Sequence, residues 1–416
     1  MAELEIITLG CRLNTFESQV MRQLSHSAGL DNAIIINTCA VTAEAERQAR
    51  QVIRRARRKN PKAKIIVTGC AAQLSPERYD AMPEVDRVIG NKEKLDITTF
   101  GKRSFEGNPV LVGDIMAEHD VTPHFIAGVE GRSRAFVQIQ QGCDHRCTFC
   151  IIPFARGPNR SVGIGHLVRQ VSDLVEQGVK EITLTGVDIC SYGHDSHGKQ
   201  GLGDLVAKLL DAVPGLARLR LSSLDPAAMD DTLFSLIAAE PRLMPHLHLS
   251  LQAMDDMVLK RMKRRHTRDL GFAVVERIRT VRPDITIGAD LIAGFPTETD
   301  EMFFNTLNAV RSLQLTHLHV FPYSVRKGTP AAKMPNVPSE IIKSRAATLR
   351  DAGDREFVKL RMSQVGSVAN VLIEKRGQGY SAHYIAVEVE DTCEPGSIVN
   401  VRIQGLTEEG LRGETI

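Results

Sequence analysis

The stretch "GCDHRCTFCIIPFARGP", residues 142–158, sets Cys143, Cys147 and Cys150 within eight positions of a 416-residue chain that holds only eight cysteines. Three thiols this close can be a zinc clasp, a disulfide set or the socket of an iron-sulfur cluster. The opening "MAELEIITLGC" shows no basic n-region, apolar core or small-residue cleavage site, and no run of 18 apolar residues occurs. These features predict a cytoplasmic protein with no membrane association, where thiols stay reduced, so a disulfide framework is set aside. Structural zinc takes four ligands in closed tetrahedral order. No fourth cysteine is near, and His145, between Cys143 and Cys147 on the same short loop, is sterically awkward as a fourth ligand. A cubane of four irons accepts three thiolates and leaves one iron open.

The cysteine loop follows the first of six short β-rich runs, "AFVQIQQG", "EITLTGVDI", "RLRLSSLDP", "HLHLSLQA", "DITIGADLIAGFP" and "THLHVFPYS". Helical spans such as "GHLVRQVSDLVEQG" and "DLGFAVVERIRTVRP" separate several of them. Six βα units predict a partial, open (β/α)6 barrel over 135–350, with ligands at the carboxyl ends of its strands.

Upstream, residues 1–105 read as a separate α/β unit with a doubly wound parallel sheet. "LEIITLGC", "NAIIINTC" and "AKIIVTGC" each end a strand in cysteine, at Cys11, Cys39 and Cys70, and a helix carrying Phe16, Val20 and Leu24 is expected from Thr15. Spacings of 28 and 31 residues match one βα step, which brings all three thiols to one sheet edge. Three isolated core thiols are the alternative to a trithiolate site. Residues 106–134 carry Gly and Pro without a sustained period and read as a linker. Over 364–416, apolar and polar residues alternate in short runs broken by Gly, Pro and Asp, which predicts a small antiparallel β-barrel.

A net charge of +2 supplies no global attraction to nucleic acid. Local patches stand out instead. In "EAERQARQVIRRARRKNPKAK", Ala45, Ala49, Val52 and Ala56 share one helix face while Arg47, Arg50, Arg54 and Arg58 share the other; "LKRMKRRHTR", 259–268, is a second cluster. Either a solvated surface or a phosphate footprint fits them. Cys190 and Cys393 have no partner at metal spacing and read as small buried hydrophobes. His246, His248, His317 and His319 alternate on two strands and read as core histidines.

The cysteine loop after the first strand of a partial βα barrel resembles the radical S-adenosylmethionine (SAM) enzymes. "LGCRLNTFES", "NTCAVTAEAERQ", "VTGCAAQ", "CDHRCTFCIIPFARGP", "LTGVDICSYG", "LRLSSLDP", "HLHLSLQAMDDMVLKRMKR", "DLIAGFPTETD" and the terminal barrel extend the resemblance along nearly the whole chain to the methylthiotransferases. "CIIPFARG" and "LGCRLNTFES" are most similar to the branch acting on threonylcarbamoyladenosine beside the tRNA anticodon. Other branches modify isopentenyladenosine in tRNA or an aspartate of a ribosomal protein. An iron-sulfur electron carrier is the reading from another class.

The resemblance implies two 4Fe-4S clusters, one on Cys143, Cys147 and Cys150 that cleaves SAM, and an auxiliary one on Cys11, Cys39 and Cys70 that holds the sulfur for transfer. It implies a low-potential electron donor such as flavodoxin or ferredoxin, a sulfur source, tRNA as substrate and a C-terminal RNA-binding barrel of the TRAM type. Gly186, Val187, Ser222, Gln252, Asp290 and Gly294 stand at strand ends as candidate SAM contacts, although the family's common Gly-Gly-Glu form is absent at Gly186 and Thr297 replaces a frequent glycine. Arg47, Arg50, Arg54, Arg58, Lys375, Arg376, Tyr380 and Tyr384 are candidate RNA contacts. No catalytic residue is expected beyond the cluster ligands.

Overall fold

The computed structural model describes residues 4–101, 105–121, 124, 133–195 and 200–416. Its first unit alternates β1 (Glu5–Thr8), α1 (Arg12–Ser27), β2 (Ala33–Thr38), α2 (Ala43–Lys59), β3 (Lys64–Gly69), α3 (Cys70–Leu74), α4 (Pro76–Asp80), β4 (Arg87–Ile89) and β5 (Val110–Leu111). The strands form one parallel sheet in the order β1-β2-β3-β4-β5. Every residue of β2 is buried, as expected of a strand covered on both faces. Ile34, Ile36, Ile65 and Val67 pack on Ile53 and Ala56 of α2, while Ile35, Ile66 and Ile89 pack on Met21 of α1 and on Phe100. The Thr42 side chain accepts from the Ala45 amide, with Glu44 and Glu46 in the first turn, which fixes where α2 starts. Two sequence expectations change here. Helix α1 begins at Arg12, with Cys11 itself as its N-cap, because the chain turns directly after Gly10. Within the stretch expected to be linker, β5 pairs with β4 and Ile115 is buried, since the edge of the sheet needs cover; 122–123 and 125–132 lie outside the described residues.

The second unit runs β6 (Arg134–Gln138), β7 (Gln140–Gln141), α5 (Ile152–Arg156), β8 (Arg160–Ser161), α6 (Ile164–Glu176), β9 (Glu181–Thr185), α7 (Leu202–Ala212), β10 (Arg218–Leu221), α8 (Asp231–Ala239), β11 (His246–Gln252), α9 (Asp256–Met262), α10 (Arg268–Val281), β12 (Thr286–Ala293), α11 (Asp300–Ser312), β13 (Leu318–Pro322) and α12 (Ser339–Gln364). Parallel pairing joins β6-β9-β10 and β11-β12-β13, and parallel bridges Leu219–Leu243 and Leu224–Leu249 connect the two sets. Among the described residues β6 and β13 do not pair, so six strands make an open barrel. Leu247, Leu249 and Leu251 face the helices while His248 on the alternate side reaches Asp290. The short antiparallel pair β7–β8 brackets the cysteine loop.

Helix α12 leads into a closed barrel of β14 (Val368–Lys375), β15 (Gln378–Ser381), β16 (Ala386–Glu388), β17 (Ile398–Leu406) and β18 (Leu411–Thr415), antiparallel except for the β16–β18 pair. The turn after β15 plugs the amino end of the large barrel. Arg218 donates to the Tyr380 carbonyl at 3.1 Å, and Arg220 to the Ser381 and Ala382 carbonyls at 3.0 Å each. The cysteine loop occupies the opposite, carboxyl end.

Candidate metal centres

Cys11, Cys39 and Cys70 follow β1, β2 and β3 directly and meet at one sheet edge because those strands are neighbours in register. Gly10 allows the approach. It adopts φ +99°, and a Cβ there would lie 2.7 Å from Cys39 Cβ and 2.9 Å from Cys39 Sγ. Asn14 ties the trio together, its Nδ2 donating to the Leu9 carbonyl at 2.6 Å and to the Thr38 carbonyl at 3.2 Å. Burial pushes the Cys39 thiol up to about 12, with Cys70 adding to the shift.

The second trio sits on the loop between β7 and α5. Gly142, at φ +74°, lets the loop close, since a Cβ would collide with the Pro158 carbonyl. Thr148 anchors it by donating its amide to Met262 O at 3.0 Å and its hydroxyl to Arg261 O at 2.7 Å. His145, the one other metal-ligand type inside the loop besides Asp144, is taken by Asp188 at 2.9 Å. Arg264, from the second basic cluster, is 8% exposed in its side chain, pairs with Asp225 at 3.3 Å and approaches Cys147 Sγ at 3.8 Å. That part of "LKRMKRRHTR" is therefore inside the site. Burial pushes Cys143 and Cys150 up to about 12. The helix that follows this loop, α5, packs on α3, which begins at Cys70, so the loop of one trio adjoins a ligand candidate of the other.

Between them lies a buried charged cluster that sequence reasoning did not single out. Glu17 of α1, Lys94 and Arg156 of α5 are each at most 1% exposed. Lys94 donates to Glu17 at 2.6 Å, and Arg156 pairs with both Glu17 oxygens. Burial alone would raise the Glu17 pKa, but Arg156 and Lys94 outweigh it and hold the carboxylate ionised. Arg156 Nε donates to Cys70 Sγ at 3.1 Å. The sole hint in sequence was the arginine in the quoted "FARG".

The thiols fit polynuclear clusters. Among the described residues, the one group of three potential ligands whose atoms all lie within 4.8 Å of one another is His248, Asp290 and His319; neither cysteine trio converges that tightly, as ligands of a single ion would. Each trio supplies three thiolates and no fourth cysteine, which suits a cubane with an open iron.

The candidate SAM contacts all stand at the carboxyl end or inside of the barrel, but several already have partners. The Val187 and Asp188 amides both donate to Gln140 Oε1 at 2.9 Å, and a Cβ on Gly186 would lie 2.7 Å from that oxygen. The Val187 side chain packs on Leu13, Phe16 and Val20 of α1. Asp290 Oδ1 receives His248 at 3.0 Å and His319 at 3.1 Å, which holds its carboxyl well below the usual range despite burial. Gly294 donates its amide to Glu298 at 3.0 Å and is glycine because Ile342 of α12 packs on its Cα. Ser222 and Gln252 are half-buried, Gln252 at φ +65° where β11 is bulged.

The candidate RNA contacts divide. On α2, Arg47, Arg54 and Arg58 are exposed, with Arg47 paired to Glu44 at 2.6 Å, while Arg50 is half-buried. Lys375 and Arg376 are exposed in the β14–β15 turn. Tyr380 and Tyr384 are not free stacking surfaces, contrary to expectation. The Tyr384 ring stacks on His246 at 5.3 Å with Arg220 4.9 Å from its centre, and Arg134 lies 4.6 Å from the Tyr380 ring. Both rings close the barrel floor, because the adjoining strands begin with arginine and histidine.

Residues 137–310 match the Radical SAM superfamily, and residues 3–90 match a family described as Uncharacterized protein family UPF0004. A Rickettsia prowazekii protein named Threonylcarbamoyladenosine tRNA methylthiotransferase MtaB is 47% identical over 97% of this chain and 95% of its own. The chain belongs to the radical SAM methylthiotransferase family. Within that family, a Bacillus subtilis protein of the same name is 34% identical over 97% of this chain and 94% of its own. A Cereibacter sphaeroides protein named tRNA-2-methylthio-N(6)-dimethylallyladenosine synthase is 35% identical over 100% of this chain and 98% of its own. In three dimensions, the radical SAM methyltransferase TsrM from Kitasatospora setae, solved with cobalamin and a 4Fe-4S cluster, aligns with TM-score 0.54 at 16% identity over 80% of this chain and 77% of that one, a likeness of fold. Among the described residues no helix is long and apolar enough to cross a membrane.

Proposed function

We propose that this methylthiotransferase converts N6-threonylcarbamoyladenosine at position 37 of tRNA, 3′ of the anticodon, to its 2-methylthio derivative. The observation that carries the reading is Arg156, which follows the loop of one thiol trio and donates to Cys70 of the other at 3.1 Å. The substrate follows the name of the 47% identical relative; the dimethylallyladenosine enzymes share less of the sequence. Cys143, Cys147 and Cys150 would hold the cluster that serves SAM, and Cys11, Cys39 and Cys70 the auxiliary cluster. When bound, the two clusters and SAM supply hydrogen-atom abstraction and sulfur delivery at adenine C2, whose hydrogen is too weakly acidic for a protein base.

The chain's own residues position and enclose. Gln140 fixes the turn after β9 beside the cysteine loop, and Thr148 holds that loop to α9. Leu13, Phe16, Val20 and Val187 seal the junction between the two units against water. Asp290, held between His248 and His319, sets the polar wall of the barrel interior. Arg47, Arg54, Arg58, Lys375 and Arg376 supply exposed charge for tRNA phosphates. A low-potential donor such as flavodoxin or ferredoxin and a separate sulfur source complete a cytoplasmic reaction.

Nucleoside mass spectrometry on tRNA from a deletion strain tests this. The 2-methylthio form of threonylcarbamoyladenosine should vanish and its parent accumulate. Loss of the isopentenyl derivative instead would reassign the substrate, and no change in tRNA with loss of mass from a ribosomal protein would overturn the reading.

A further inference from the structure

Arg156 is, with Arg218, among the largest fully buried side chains of the described residues, although it carries a charge and sits on a five-residue helix where the two units meet. Burying a guanidinium costs several kcal/mol unless every donor is used. Nη1 meets Glu17 and, at 3.4 Å, Gln141; Nη2 meets Asn14 at 2.6 Å and Glu17 at 3.0 Å. Nε points at Cys70 Sγ, 3.1 Å away. A neutral thiol is a weak acceptor and gives poor return for a charged donor, whereas a thiolate bound to metal is a strong one. The surroundings fix this aim. Asn91 donates to the Ala155 carbonyl at 2.7 Å, and Gly157, at φ +76°, lets the chain pass the Ile115 carbonyl, which a Cβ would meet at 2.3 Å. Arg156 also lies six residues beyond Cys150 on the same segment, so one side chain links the loop of one trio to a ligand of the other.

We propose that Arg156 is a positioning residue for the N-terminal cluster: its Nε–H holds the Cys70 sulfur, and its fixed charge favours that cluster's reduced form over what the same three cysteines would give alone. This rests on the reading that Cys11, Cys39 and Cys70 carry a cluster. Donors to a ligating sulfur and nearby positive charge both raise a cluster's reduction potential. The second trio has its own basic neighbour, Arg264, 3.8 Å from Cys147 Sγ.

The test uses full-length protein with Cys143, Cys147 and Cys150 replaced by alanine, reconstituted anaerobically, in which about four irons per chain report the N-terminal cluster alone. Arg156→Gln is made together with Glu17→Gln, so that the ion pair between them is removed whole, and Glu17→Gln alone is the reference. Redox titration followed by electron paramagnetic resonance should show the double variant shifted about tenfold toward the oxidised form at a given potential, about 59 mV for a one-electron couple. Arg156→Lys, which keeps the charge, should shift in the same direction by less. If the double variant loses its iron, the Lys variant decides alone. A folded, four-iron variant with the potential of its reference overturns the proposal, since a merely structural role would not move it. A parent protein without iron overturns the cluster reading itself, and this inference with it.

Discussion

At single positions, backbone conformation decides more than side-chain chemistry. Gly10 has to be glycine because its φ of +99° and the 2.7 Å approach to Cys39 leave no room for a Cβ. Gly10→Ala should lower iron content by about half while leaving the Cys143–Cys147–Cys150 share, and should destabilise the first unit by about 1 to 3 kcal/mol, read by iron assay and thermal melting. Thr297 is the reverse case. It holds the left-handed backbone, φ +67°, which a β-branched residue adopts only under strain. Thr297→Gly should therefore stabilise by about 1 kcal/mol, seen as a higher melting temperature with unchanged iron.

At the scale of elements, the turn after β15 packs against the barrel floor. Tyr384 packs on His246 and Arg220, and itself adopts φ +65°. Tyr384→Ala should cost about 2 kcal/mol by removing the ring that His246 and Arg220 pack against, and should loosen the terminal barrel, making the chain after α12 more sensitive to protease. It should leave the salt dependence of tRNA binding nearly unchanged. Replacing exposed Lys375 and Arg376 together by alanine should instead reduce the slope of log affinity against log salt by about 0.7 to 0.9 for each phosphate no longer neutralised. Equal slopes in that variant and the parent would remove the β14–β15 turn from the interface.

Over the whole molecule, buried histidines set an acid limit. Burial holds His317 and His266 near 4 against an ordinary value of 6.5, with neighbouring positive groups adding to the shift. Their folded pKa is depressed, so both stay neutral in the native state while the unfolded chain takes up protons. Stability should be unaffected above about pH 6.5 and fall progressively toward pH 4. Urea unfolding at pH 7.5 and 5.5 checks this; in His317→Asn the loss between the two should be smaller. The same scale governs the clusters. About eight irons per chain are expected, and about four after Cys11, Cys39 and Cys70 are all replaced by alanine.

Local pattern was enough for the βα alternation, the six-unit barrel, the terminal β-barrel and both cysteine trios, because strand periodicity and ligand spacing are properties of short segments. Partner choice was not legible. Asp290 looked available to SAM until His248 and His319 closed on it from neighbouring strands, and Tyr384 looked exposed until the terminal barrel folded back on the strand starts. The Glu17–Lys94–Arg156 cluster joins residues up to 139 apart in sequence, at an interface no single segment encodes. Sequence by itself determined which residue types could ligate and where the strands deliver them; tertiary structure decided which donors meet which acceptors, since a buried charge is tolerated only where distant segments supply its partners.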